Sequence, residues 1–540
     1  MRKGSSADAP QRAPQLNDDG EELSPYRWIL LAGLITTAIL EVLDTTIVNV
    51  SLPQMAGNLG STPDEIGWVA TGYILSNVIV LPMTAWLASR FGRKRYLLGS
   101  ITLFLVASFL CGTSRSLQEL VLWRIAQGAG GAALISTVQA TLREIFPRDQ
   151  QGMVQAIYVL GVIVAPTVGP TLGGWITDNY NWPWIFFVNI PIGLCAMAII
   201  YFFLTDAKHR MVTLQVDWQG ILLLAVGLGS LQYVLEEGNR NDWFQDGLIL
   251  KLAVISAVTL TLLIWWELSP RNKRPIVNIR VLRNRDLSAA LVLFLALGFG
   301  LYGGIFIFPL FSQTVLGFTA TDTGLALMPG GIATGVSAIV CGRLLNGRRQ
   351  AVSPRILILT GMALYIFSMW RLGHLTSLSG ETDTQLALII RGAGLGMLFT
   401  PINLAAFNSL KGVEIAQGAS MLNLCRQLGG SFGIAILSTY LDDMRRYHRV
   451  DLSDNIYPSN PLLQQRLHAL ESMFMARGYD LHTAQHAALA MVYDAIQRQA
   501  ATMGFNDGFL LIGLATVVVI PMVFLLRSGR KPVAAAEVAH

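Results

Sequence analysis

The chain has 540 residues, of which 53% are hydrophobic and 14% charged, with a formal net charge of +5. Soluble domains carry roughly 25% charged residues, so this shortage cannot coat a soluble surface of such a size. Apolar runs near the ~20 residues needed to cross a bilayer recur along the chain; this marks an all-α polytopic membrane protein and excludes a barrel, whose strands are half as long and alternate in polarity.

The basic residues fall in short clusters between apolar runs rather than on one polar face. The positive charge therefore reads as membrane topology and not as nucleic-acid binding. Cys111, Cys195, Cys341 and Cys425 all lie inside apolar runs and imply no disulfide framework. Residues 1–26 are polar and lack an apolar core followed by a small-residue cleavage site, so they read as a disordered cytoplasmic tail, and the first helix must itself insert.

Fourteen spans are predicted, at 27–50, 66–88, 96–114, 118–142, 152–177, 184–204, 216–236, 247–267, 287–313, 322–345, 355–373, 385–408, 415–440 and 505–527. An even number places both termini on one side. Arg90, Arg93, Lys94 and Arg95 follow the second span, Lys208 and Arg210 the sixth, and Arg271, Lys273, Arg274, Arg280, Arg283 and Arg285 the eighth. Arg348, Arg349 and Arg355 follow the tenth, and Arg527, Arg530 and Lys531 the last, whereas the alternate short loops hold little beyond Arg115 and Arg240. Both termini are thus predicted to be cytoplasmic.

The halves echo each other weakly. Trp123-Arg124 with Gln127-Gly128-Ala129-Gly130 resembles Ile390-Arg391-Gly392-Ala393-Gly394, and Gly342-Arg343-Leu344 echoes Trp86-Leu87 before Arg90. This suggests two six-helix bundles, 27–204 and 287–527, joined by a linker at 205–286 that carries two inserted helices, with a short tail at 528–540; such repeats are the plan of secondary transporters. One non-cytoplasmic loop, 441–503, is long. Pro458, Asn460 and Pro461 punctuate it, and 462–475 and 483–503 have helical periodicity, so a small extramembrane helical hairpin is expected. His482 and His486, four apart, lack a carboxylate or cysteine partner and read as a solvated helix face, so no metal is assigned.

The fifth span holds LGVIVAPTVGPTLGG at 160–174. Gly161, Ala165, Gly169 and Gly173 recur every four residues and form one smooth stripe along which a neighbouring backbone can approach closely. Pro166 and Pro170 beside it each remove a backbone donor and bend a helix, so a bent, close-packed helix at the centre of the bundle is expected.

Asp44 lies deep in the apolar first span, where an ionised carboxylate is costly. It is either a group that exchanges a proton or a structural carboxylate permanently paired to an arginine. Glu41, three residues earlier on the same face, can share the proton or the pathway. Arg124 in the fourth span is the natural partner, because a guanidinium biases a carboxylate without losing its own charge. Arg391 and Arg426 are candidate counterparts in the second bundle. Asn77, Gln139, Gln155, Asn403 and Asn408 are polar residues inside spans and candidates to line a central cavity, with Tyr302, Phe306 and Phe399 as an apolar, adaptable wall. GFGLYG at 298–303 formally matches a dinucleotide fingerprint, but it follows no strand and reads as helix packing. No Walker A sequence and no serine, cysteine or zinc hydrolase signature occurs, so neither ATP coupling nor an enzyme is expected.

Leu43-Asp44-Thr45-Thr46-Ile47-Val48-Asn49-Val50 with Leu52-Pro53 resembles the first-helix signature of the fourteen-helix drug:proton antiporters of the major facilitator superfamily. The run from Ala165-Pro166 through Gly174, Trp175-Ile176-Thr177-Asp178-Asn179-Tyr180 and Trp184-Ile185-Phe186-Phe187-Val188-Asn189-Ile190-Pro191-Ile192-Gly193 resembles that family's antiporter motif and its continuation. The likeness spans 27–527 and is nearest to EmrB-type exporters, with Asp242-Trp243-Phe244, Asn423 and Arg426 supporting that subgroup. The resemblance implies that Arg124, Gln127 and Gly128 form the fourth-helix motif, and that Leu87, Arg90, Phe91, Gly92, Arg93 and Lys94 form the loop motif that steers conformational change. In that loop motif Ala85 replaces the first glycine and Ser89 the aspartate, so the aspartate's ion pair is lost.

The resemblance further implies proton-driven export of small hydrophobic toxic compounds across a bacterial inner membrane by alternating access, with the proton as coupling ion and no other cofactor. It also implies a periplasmic EmrA-type membrane fusion protein as adaptor, contacting 441–503, and an outer-membrane channel. Export of a particular endogenous metabolite or siderophore, or a transport-dead receptor or scaffold, stays open from the sequence.

Overall fold

The protein is described here from a computed structural model covering residues 25–147, 150–205, 216–272, 275–345, 352–408, 410, 413–454, 456–457 and 459–526. The predicted tails and the basic residues Lys208, Arg210, Lys273, Arg274, Arg348, Arg349, Arg527, Arg530 and Lys531 lie outside the described residues, as does Pro458. Among the described residues there is no strand.

Six helices make the first bundle: α1 (Arg27–Leu59), α2 (Trp68–Phe91), α3 (Arg93–Thr113), α4 (Leu117–Ile145), α5 (Gln151–Asn179) and α6 (Trp184–Phe203). Two inserted helices follow, α7 (Trp218–Glu237) and α8 (Gly247–Leu268). The second bundle holds α9 (Arg285–Thr314), α10 (Ala320–Leu345), α11 (Pro354–Leu372), α12 (Glu381–Phe407), α13 (Val413–Asp454) and, after the short α14 (Pro461–Ala476), α15 (Leu481–Leu525). Among the described residues eleven of these helices are long and apolar enough to cross a membrane. Of the four not among them, α14 has 16 residues, while α4, α5 and α13 are 29, 29 and 42 residues long and carry the site's polar side chains or the glycine stripe.

Local chemistry sets the boundaries. Gly60, at φ 62°, ends α1 ten residues past the predicted end, after the helix has run through Pro53. Ser116 accepts from the Glu119 N–H to start α4, Asp217 from Gly220 to start α7, Asp246 from Leu248 and Ile249 to start α8, and Asn284 from Asp286 and Leu287 to start α9. Gly92, at φ 85° and ψ 142°, turns the chain between α2 and α3, in a backbone region that residues with a Cβ rarely adopt.

The expected loop at 441–503 is largely continuous with the membrane helices, which corrects the span limits. Helix α13 runs on to Asp454, and the predicted helix at 483–503 is one piece with the last span. No proline or turn cluster separates Met503 from Phe505, so the change from polar to apolar there marks a change of solvent and not the end of a helix. Helix α5 stays helical through Pro166 and Pro170; the side chain of Pro170 lies outside the described residues.

Within the first bundle α1 packs on α4, α5 and α6, α2 on α4, and α3 on α4 and α6; within the second α9 packs on α13 and α15, and α12 on α10 and α11. The bundles meet where α5 packs on α10 and α12, and where α13 packs on α2 and α4. Helix α7 bridges α2 and α13, which places the inserted pair on the flank of that seam.

The glycine stripe explains the placement of α5. A Cβ on Gly161 would meet Ile35 and Ile39, on Gly169 Thr46, and on Gly173 the carbonyl oxygen and side chain of Ile47, so the stripe is the face laid against α1 beside Asp44. Gly335 and Gly342 of α10 similarly admit Leu160 and the Gly152 backbone of α5. The 298–303 run is helical, and its Gly298 lies against the backbone of Arg426, so it serves the packing of α9 on α13.

Candidate functional site: two carboxylates on the first helix

Asp44 and Glu41 sit one turn apart on α1 in different environments. Asp44 is fully buried. Arg124 donates from Nη1 to its Oδ2 at 2.6 Å, while Gln127 and Asn189 each donate to its Oδ1 at 2.8 Å. Arg124, 1% exposed, also donates from Nη1 to Gln127 Oε1 at 2.8 Å and from Nε to the Val69 carbonyl at 2.9 Å, and its guanidinium lies 4.3 Å from the centre of the Tyr73 ring. Ser108 closes the cluster, accepting from Gln127 at 3.1 Å and Asn189 at 3.0 Å and donating to the Phe186 carbonyl at 3.0 Å. Five of the six helices of the first bundle, α1, α2, α3, α4 and α6, are thereby tied around one ion pair. A buried pair holds only when its remaining donors and acceptors are satisfied, and this one is well supplied.

Glu41 is 6% exposed and, among the described residues, takes neutral donors: Asn77 Nδ2 to Oε1 at 3.1 Å and the Ile135 N–H to Oε2 at 3.2 Å. The cation acting on it electrostatically comes from the other bundle, Arg426 of α13. Tyr158 of α5 shares the field of both groups, and Arg426 donates to the Tyr302 hydroxyl at 3.1 Å. Glu41 therefore faces the seam between the bundles, whereas Asp44 faces the interior of its own.

Toward the end at which α1 begins, the seam is closed by polar contacts. Gln139 donates to Asn403 at 2.6 Å, Asn423 donates to Gln139 at 3.0 Å and to Ser136 at 3.4 Å, Arg143 donates to Asn408 at 3.0 Å, and Ser420 donates to the Leu81 carbonyl at 2.6 Å. Four candidate cavity residues, Gln139, Asn403, Asn408 and Asn77, are thus engaged in contacts across or beside the seam. Gln155 is fully buried, and its amide has no hydrogen-bond partner among the described residues.

The remaining candidates lie apart. Arg391 is buried inside the second bundle, donating to the Leu301 carbonyl at 3.3 Å against Gly304. Phe399 packs in that bundle's core, its ring 5.5 Å from Phe294, and Phe306 is partly buried against the same core. Gly128 lets α4 approach the Tyr73 carbonyl of α2. Around the turn between α2 and α3, Arg93 pairs with Glu144 at the end of α4, Arg90 lies 5.8 Å from the Trp86 ring, and Ser89 donates to the Ala85 carbonyl of its own helix at 2.8 Å. The rings of His482 and His486 are 4.6 Å apart, and no group of three His, Cys, Asp or Glu that could hold a metal occurs among the described residues.

Sequence reasoning missed Ser108, Tyr73 and Tyr158, and quoted Asn189 without a role. A serine or asparagine in an apolar span is a usable signal, since polar groups there seek partners. Nothing in one sequence pairs Tyr158 with Arg426.

The family model of the Major Facilitator Superfamily matches residues 34–434. The multidrug export protein EmrB of Haemophilus influenzae is 33% identical to this chain, over 89% of it and 92% of that protein. The fatty acid resistance protein FarB of Neisseria gonorrhoeae is 32% identical over 93% and 96%, and EmrB of Escherichia coli K12 is 32% identical over 89% and 91%. Among solved structures, the human organic anion transporter MFSD10 (TETRAN) is similar at a TM-score of 0.54 and 12% identity, over 91% of this chain and 99% of that one, a likeness of fold alone. With helices, buried charges and relatives in agreement, this chain belongs to the Major Facilitator Superfamily.

Proposed function

We propose that the chain is a proton-driven antiporter that exports small hydrophobic toxic compounds across a bacterial inner membrane by alternating access, with both termini in the cytoplasm. The observation that carries this reading is the unequal pair on α1. Asp44 is neutralised by Arg124 within one bundle, while Glu41 has neutral donors and a cation, Arg426, on the opposite bundle. A proton arriving at Glu41 breaks no ion pair, yet it removes a charge that Arg426 attracts across the seam. Because that attraction differs between the two arrangements of the bundles, proton binding shifts their balance.

Asn77 fits both protonation states. Its Nδ2 donates to the carboxylate, and its Oδ1, buried without a partner among the described residues, is an acceptor for the carboxylic acid once the amide turns over. In this reading the Asp44–Arg124–Gln127–Asn189 cluster is the rigid support that holds α1 in place, and the Gln139–Asn403–Asn423 contacts are the closed cytoplasmic gate.

The relatives' names, multidrug export and fatty acid resistance, support hydrophobic substrates. An EmrA-type periplasmic adaptor, leading to an outer-membrane channel, would dock on α14 and the start of α15. Leu462, Leu481 and Tyr493, 76%, 56% and 57% exposed, present apolar surface there.

The test is efflux of a lipophilic fluorescent cation and a weak-acid uncoupler from proteoliposomes with an imposed pH gradient. Glu41→Gln is expected to bind both substrates but lose gradient-driven efflux. Full gradient-driven efflux in that variant would place the coupling proton elsewhere.

A further inference from the structure

A groove of about 540 Å³ lies between α2 and α3, at the end of the bundle where the two helices are joined by Gly92, and Glu41 is not among its lining residues. Its volume is within the roughly 300–1,000 Å³ usual for small-ligand sites. The groove opens sideways, toward the bilayer, past Phe91 and Leu103, which are 51% and 43% exposed. Gly99 forms part of its wall, and a Cβ added there would meet nothing within 4 Å, so the missing side chain is what leaves the groove open. From Arg95 to Leu103 along α3 is eight residues, about 12 Å, enough for the upper half of an acyl chain.

The mouth is basic. Arg90 and Arg95 line it, the guanidinium of Arg90 lies 5.8 Å from the Trp86 ring and 5.9 Å from the Phe91 ring, and Lys94 stands 5.4 Å from the Tyr201 ring next to it. Among the described residues lining the groove, none is acidic. An apolar, laterally open slot with two arginines at its mouth has the charge and shape of an anionic lipid site.

We propose that this groove binds one anionic glycerophospholipid, its phosphate held by Arg90 and Arg95 and one acyl chain laid along Gly99 toward Leu103. The lipid braces the turn at Gly92 from outside. The inference goes beyond the antiport reading and needs only that the chain lies in a bilayer, so its test reads lipid binding and not transport.

The experiment is native mass spectrometry of the full chain released from nanodiscs of phosphatidylglycerol and phosphatidylcholine with matched chains, paired with photo-crosslinking by a diazirine-bearing phosphatidylglycerol. One phosphatidylglycerol is expected to be retained in preference, with crosslinks in the peptide 87–103. Arg95→Gln is expected to lower its retention about five-fold, the effect of losing one basic residue at a membrane surface, while Arg95→Lys keeps most of it. Gly99→Leu leaves the charges in place and fills the slot, and is expected to displace the lipid from a protein that stays monodisperse. Equal retention of the two lipids, crosslinks confined to other helices, or unchanged retention in both Arg95→Gln and Gly99→Leu would overturn the proposal. So would displacement of the lipid by soluble glycerol phosphate at equal concentration, because that would mark a plain phosphate site.

Discussion

Replacing Asp44 by asparagine separates an anchor from a proton carrier. The asparagine keeps one oxygen to accept from Gln127 and Asn189, but its amide nitrogen then stands 2.6 Å from Arg124 Nη1, donor against donor, and leaves a guanidinium that is 1% exposed without its counter-charge. Breaking a buried pair from one side typically costs about 3–5 kcal/mol, because the surviving charge is uncompensated. Removing both partners with apolar residues of similar size, Asp44→Leu with Arg124→Met, recovers much of that loss, since neither charge is then buried. The assay is the midpoint of unfolding by a denaturing detergent titration, run on wild type, both single variants and the double variant. A double variant far more stable than the sum of the single losses supports the anchoring role. Asp44→Asn within about 0.5 kcal/mol of wild type would refute it, and if the same variant had lost gradient-driven efflux, Asp44 and not Glu41 would be the coupling group.

Two further predictions concern the packing that lets the site work. Asn423→Ala removes the contacts to Gln139 and Ser136 that span the seam; at about 0.6–1.7 kcal/mol for intramembrane hydrogen bonds, the closed-to-open ratio should fall by roughly three- to eighteen-fold. Spin labels at Ser89→Cys and Arg343→Cys, with the native cysteines replaced, would report a longer distance population, and an unchanged distribution would count against the gate. Gly173→Val drives a side chain into the Ile47 backbone, 2.7 Å from where a Cβ would sit, and should cost about 1–3 kcal/mol by overpacking; Gly174→Val, whose nearest neighbour is Val50 at 3.8 Å, should be tolerated in the same thermal-stability assay.

Much of this protein is legible in its sequence because the governing physics is local. A run of apolar residues must satisfy its own backbone in lipid, so it is helical wherever it falls. A carboxylate or arginine in such a run must find a partner or a function, so Asp44, Glu41 and Arg124 stand out without coordinates. The four-residue repeat of Gly161, Ala165, Gly169 and Gly173 announces a close helix contact, although not which helix. Polarity misled at 441–503, where helices α13 and α15 simply continue into water.

What only the tertiary structure decided is the difference between Asp44 and Glu41. Both are carboxylates on one face of one helix, and a sequence treats them as neighbours that share a proton. The fold surrounds Asp44 with side chains from four other helices of its own bundle and turns Glu41 toward a cation more than 380 positions along the chain. That distinction arises because hydrogen bonding and charge act through space over a few ångströms, while sequence position constrains distance only within a helix turn or two.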